Sequence, residues 1–105
     1  MRILVTNDDG ILAEGIVSLV DALSTVVDEI FVIAPDRNNS GISGAISLEM
    51  PLRVMKVRPN WWQLNGTPAD CIKLGLSGFL QQEPDMVISG INAGANLGDD
   101  VIYSG

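Results

Sequence analysis

The chain has 105 residues, 47% of them hydrophobic, with thirteen acids against six bases and a net charge of −7. That is one domain or part of one, and its acidity leaves no electrostatic footprint for a nucleic-acid duplex or an anionic membrane. It has no histidine and one cysteine, Cys71, which excludes imidazole chemistry, an internal disulfide and a cysteine-rich zinc site.

The N-terminal apolar run, Ile3 to Thr6, is short and stops at Asp8 and Asp9. It reads as a buried strand and not as a signal peptide. Ile16, Leu19, Val20 and Leu23 follow at helical spacing. Ile30 to Ala34 and Met86 to Ser89 are two more runs rich in Ile and Val, continuously apolar, the pattern of parallel strands covered on both faces. Between them, Ala45 to Leu48, Leu52 to Val57 and Trp61 to Leu64 read as short strands of an antiparallel excursion, about residues 45–64, closed by Asn65-Gly66.

Thr67-Pro68-Ala69-Asp70 is a helix start, with Thr67 as N-cap, Pro68 at the first helical position and Asp70 in the first turn. The expected apolar face is Ala69, Ile72, Leu76, Phe79 and Leu80, and Pro84 ends the element. A glycine-rich tail, Ser89 to Asp100, follows the third strand. The fold class is therefore α/β with a mainly parallel sheet. Residues 1–105 read as the N-terminal part of one such domain. No apolar stretch approaches the roughly 20 residues of a membrane span, so the expected compartment is the cytoplasm.

Ligands of open α/β sheets bind beyond the C-terminal ends of the strands, where strand order reverses. With the first strand central, three loops converge there and bring Asp8, Asp9, Ser40, Asn92 and Asn96 together. All five offer oxygen, which suits a hard divalent cation such as Mg²⁺, Mn²⁺ or Ca²⁺. The competing reading makes Asn7-Asp8-Asp9-Gly10 the cap of the following helix. Both stay open on spacing alone. Neither a Gly-x-Gly-x-x-Gly after the first strand nor a Walker A lysine is present, which disfavours dinucleotide and NTP binding. Trp61 and Trp62 read as core or interface residues. Cys71 reads as a small buried hydrophobe with no base to activate it.

Four segments together resemble the SurE, or survival protein E, family of nucleotidases. They are Ile3-Leu4-Val5-Thr6-Asn7-Asp8-Asp9-Gly10, Ala34-Pro35-Asp36-Arg37-Asn38-Asn39-Ser40-Gly41, Asn65-Gly66-Thr67-Pro68-Ala69-Asp70-Cys71, and the run from Ser89 to Gly105. The resemblance implies a Rossmann-like three-layer α/β/α fold and a metal-dependent phosphatase of nucleoside 5′- and 3′-monophosphates. It implies one divalent cation per subunit, Mg²⁺ or Mn²⁺, held by Asp8, Asp9, Ser40 and Asn92. Asp8, Asp9 and Asn96 would take the catalytic roles, with Asn96, Ser104 and Gly105 at the phosphate. The family's longer members are expected to be homodimers or homotetramers and to serve stationary-phase survival. An incomplete unit that binds a cation without turnover is the alternative. A receiver-like signalling domain is disfavoured, because Ser89-Gly90 stands where its phosphoacceptor aspartate is required.

Overall fold

A computed structural model describes residues 1–11, 13–36, 51–90 and 101–104, the last group as backbone pairing. In chain order the elements are β1 (Arg2–Asn7), α1 (Glu14–Leu23), β2 (Glu29–Pro35), β3 (Val54–Arg58), β4 (Trp61–Leu64), α2 (Pro68–Leu76), β5 (Met86–Gly90) and β6 (Val101–Ser104). The strands form one six-stranded sheet in the order β3-β4-β2-β1-β5-β6. β4, β2, β1 and β5 are mutually parallel, and β3 and β6 are antiparallel additions at either side.

The parallel centre is where the sequence is most continuously apolar, and burial explains why. Ile3, Leu4, Val5, Val32, Ile33, Ala34, Val87 and Ile88 are all buried, so both faces of these strands need apolar side chains. The alternation of the pleat divides them. Ile3, Val5, Val32, Ala34 and Ile88 face α1, where Ile16 is buried and Leu19, Val20 and Leu23 pack beside it. Leu4, Phe31, Ile33 and Val87 face α2 and meet Cys71 and Ile72. The result is the expected three-layer α/β/α arrangement.

The Trp61 to Leu64 strand differs from the expectation. β3 and β4 do form an antiparallel hairpin, but β4 also pairs parallel to β2, with Val32 opposite Trp61 and Pro35 opposite Leu64. The hairpin thus continues the main sheet. Its turn is Pro59-Asn60, where Asn60 has a φ of 65°, and Asn65-Gly66 follows the end of β4, as the sequence predicts. Asparagine tolerates that left-handed conformation better than most side chains do. Asn65 ties the hairpin's outer end: its side chain accepts from Arg53 N and donates to Pro51 O at 3.1 Å. The expected strand Ala45 to Leu48 lies outside the described residues. β6 was not anticipated, because four residues behind a glycine-rich run carry no usable periodicity.

α2 starts as the sequence predicts. Thr67 Oγ1 accepts from Asp70 N at 3.1 Å, and Asp70 Oδ2 accepts from Thr67 N at 3.0 Å, a reciprocal capping box. Its buried face is a correction. Cys71 and Gly75 point inward, whereas Ala69 and Leu76 are exposed. Two small residues let the helix sit close to the sheet, and a Cβ on Gly75 would run into the side chain of Leu4.

That close approach is testable. Gly75→Ala gains about 1 kcal/mol of helix propensity but forces the fully buried Leu4 to move, an overpacking cost of about 1–3 kcal/mol. We expect a net loss and a lower Tm by thermal unfolding. Gly78→Ala sits where nothing lies near an added Cβ, but at a φ of 99°; it should also lower Tm, through backbone strain alone.

Candidate functional site

Strand order reverses at β1. From β1 the chain passes through α1 to β2 on one side, and later returns through α2 to β5 on the other. The reversal opens a crevice between the ends of β1 and β5. Asp8 and Asp9 lie at that point, immediately beyond Asn7, which pairs with Gly90.

The turn that carries them is held from three directions. Asn7, a buried polar residue, folds its side chain over the turn: Nδ2 donates to Gly10 O at 2.9 Å, and Oδ1 accepts from Gly10 N at 3.1 Å. Asp8 N donates to Gly90 O at 3.1 Å and extends the ladder to β5. Ile11 N donates to Pro35 O at 2.8 Å and fastens the far side of the turn to the end of β2. Gly10 has a φ of 110°, a conformation that side chains with a Cβ rarely adopt. The backbone of both aspartates is therefore fixed, and both residues are partly exposed at the crevice.

The helix-capping reading does not hold. The N-cap of α1 is Ala13, and no side chain caps it. The N-cap position is not held by an aspartate, and the turn is closed by Asn7. Two adjacent carboxylates at a sheet's ligand-binding edge still repel one another and favour a cation between or beside them. The donor chemistry of the described part fits a hard divalent ion.

The other expected ligands divide by position. Ser40, Asn92, Asn96 and Gly105 lie outside the described residues. Among the described residues, no cluster of three or more His, Cys, Asp or Glu side chains forms a self-sufficient metal site. Asp8 and Asp9 would need partners from the loops after β2 and β5. Ser104 is placed elsewhere. It pairs with Met86, which is level with Ile3, because β6 runs back along β5 away from the crevice. Along the strand direction, that is about 16 Å from the level of Asp8, five residues at about 3.3 Å each.

Cys71 is fully buried on the sheet-facing side of α2. Burial pushes its thiol up from 9.0 to about 12, against a smaller opposite pull from contact with the Thr6 hydroxyl. A thiol held protonated in this way is no nucleophile. Among the described residues, no helix is long and apolar enough to cross a membrane.

An open α/β sheet with an acidic pair at its switch point defines a class of ligand-binding α/β proteins. The comparisons name the family within it. The family model for survival protein SurE matches residues 3–105. The 5′-nucleotidase SurE of Pseudoalteromonas atlantica is 57% identical over all 105 residues, which span 42% of its length. The 5′-nucleotidase SurE of Pseudomonas aeruginosa is 56% identical over the same span. The crystal structure of SurE from Aquifex aeolicus superposes with a TM-score of 0.79 at 40% identity, over 94% of this chain and 40% of that one. The chain belongs to the SurE family. It spans about two fifths of the length of these relatives.

Two outcomes test this geometry. Asn7→Ala removes both side-chain bonds of a buried turn and should cost about 1–3 kcal/mol in urea unfolding. For Cys71, a folded-state value above the unfolded one means that the native chain binds the proton more tightly. Stability should then fall as pH rises above about 9, where the unfolded thiol ionises, and keep falling toward about 12. Cys71→Ala should flatten that part of the stability profile.

Proposed function

We propose that the Asp8–Asp9 turn is the cation-binding part of a phosphomonoester hydrolase acting on nucleoside 5′-monophosphates, with 3′-monophosphates as further substrates. The observation that carries this reading is the position of two adjacent carboxylates at the sheet's switch point, on a turn fixed by Asn7, with Ala13 at the N-cap of α1. Relatives named 5′-nucleotidase SurE support the substrate class.

Asp8 and Asp9 would hold a divalent cation, Mg²⁺ or Mn²⁺, completed by Ser40 and Asn92 from the two neighbouring loops. Such an ion supplies polarisation of the phosphoryl oxygens and a lowered pKa for water. The two carboxylates offset its charge and fix its place against the rigid end of β1. One of them orients the attacking water and accepts its proton. The water oxygen bonds to phosphorus, the ester P–O bond breaks, and the nucleoside oxygen leaves and takes up a proton. Asn96 donates to a phosphoryl oxygen as charge builds there.

A second reading is cation binding without turnover. It rests on the chain's span, about two fifths of the length of the relatives named 5′-nucleotidase SurE.

One experiment separates the two. Phosphate release from adenosine 5′-monophosphate is measured with Mn²⁺ or Mg²⁺, then with chelator, beside calorimetric Mn²⁺ binding. The phosphatase reading expects release that chelator abolishes and that Asp9→Asn lowers by about 100-fold or more. Mn²⁺ binding that Asp9→Asn abolishes, without release, would support the second reading. Release indifferent to both chelator and Asp9→Asn would overturn the assignment.

A further inference from the structure

A pocket of about 510 Å³ lies on the α2 face of the sheet, at the edge opposite the Asp8–Asp9 turn. Its lining comes from the starts of β2 and β4, from β3, and from the segment that follows α2. The volume falls within the roughly 300–1,000 Å³ range of small-molecule sites.

Three aromatic rings meet there. Trp62 stands edge-on to Phe79, with ring centroids 5.4 Å apart and planes at 79°. Phe31 lies 6.4 Å from Trp62 on a tilt of 35°. Phe79 is among the exposed large apolar residues, so the rings are not sealed into the core.

The charge of the pocket runs against that of the chain. The one carboxylate in its lining, Glu29, already accepts from Arg2 Nε at 3.1 Å. Lys56 pairs with no carboxylate among the described residues, and its Nζ sits 6.0 Å from the Trp62 ring centroid. On a protein with a net charge of −7, the pocket thus keeps one uncompensated ammonium beside aromatic rings. Asn60, Gln81 and Gln82 add amide donors and acceptors at the rim.

We propose that this pocket binds a planar aromatic anion at a site separate from the cation-binding turn. The rings offer stacking surface to any flat π-system. Lys56 selects the anionic form, and the amides meet polar atoms at the ring edge. A nucleoside monophosphate carries both elements, a flat base and an anionic group.

The test uses the ¹⁵N-labelled 105-residue chain in excess chelator, so that no divalent cation takes part. Adenosine 5′-monophosphate is titrated while the Trp62 indole and the side-chain amides of Asn60, Gln81 and Gln82 are followed by NMR. The Asn7 side-chain amide reports the other edge. The expected result is saturable shifts at the pocket groups and none at Asn7. Adenosine, which lacks the anion, and ribose 5-phosphate, which lacks the ring, should each bind at least about fivefold more weakly. Lys56→Gln, at an exposed position, should weaken the nucleotide by a similar factor while the Asn7 resonance confirms the fold. Shifts confined to the Asn7 turn, no saturable shift, or Lys56→Gln titrating like the unaltered chain would each overturn the proposal. Because metal is absent throughout, failure here leaves the phosphatase reading untouched, and failure of that reading leaves this one standing.

Discussion

β1 is enclosed on every side. It has β2 and β5 as hydrogen-bonded neighbours, α1 over one face and α2 over the other. Burying a strand this completely demands an unbroken apolar run, and it demands that the polar chain emerge abruptly where the run ends. Asn7 makes that transition. It is the last paired residue of the strand, it is buried, and its amide spends both its donor and its acceptor on Gly10. The two carboxylates beyond it stand where the buried strand ends, and both residues are partly exposed. Their position follows from how the core is closed.

The same enclosure shapes the α2 face. Leu4 and Thr6 project there, and α2 must approach closely to cover them. It does so with Cys71 and Gly75, the smallest residues on its inner side. The fit leaves the Thr6 hydroxyl without an oxygen or nitrogen partner, in contact instead with the Cys71 thiol. A thiol is a weak partner, so this contact compensates the buried hydroxyl only in part. It lies directly beneath the Asn7 turn. The packing between the sheet and α2 is therefore tight but not fully satisfied in hydrogen bonding.

How much of this could be read from the sequence depended on the range of the cause. Strands β1, β2 and β5 were legible because two-sided burial leaves an unmistakable apolar run. The capping box of α2 was legible because Thr67, Pro68 and Asp70 act within one turn. The inward face of α2 was not, since large apolar residues mark a helix face only when the helix stands off from its sheet. Here closeness selects Cys71 and Gly75, and Leu76 is left exposed. The parallel pairing of β4 with β2 and the antiparallel return of β6 are set by partners distant in sequence, so no local pattern announces them. Asp8 and Asp9 were legible as candidates. Only the structure separated them from helix capping, by giving the N-cap to Ala13.

The sheet has two chemically different ends. At the C-terminal ends of the parallel strands, backbone N–H groups and short oxygen-bearing side chains gather, because turns that leave a buried strand and start a helix select Asn, Asp and Gly. At the opposite end, strands begin with longer side chains that must cover the core's lower rim, and here those include Phe31 and Trp62 with Lys56 across the hairpin. On the function proposed above, the first end would hold a hard cation and a phosphate. The second suits a flat, partly apolar ring. β1 and β5 are paired from Ile3 with Met86 to Asn7 with Gly90 between these ends. α2 runs between them: its first turn follows the end of β4, and its C-terminal continuation supplies Phe79. Gly75, pressed against Leu4, is the point at which that helix is held to the sheet.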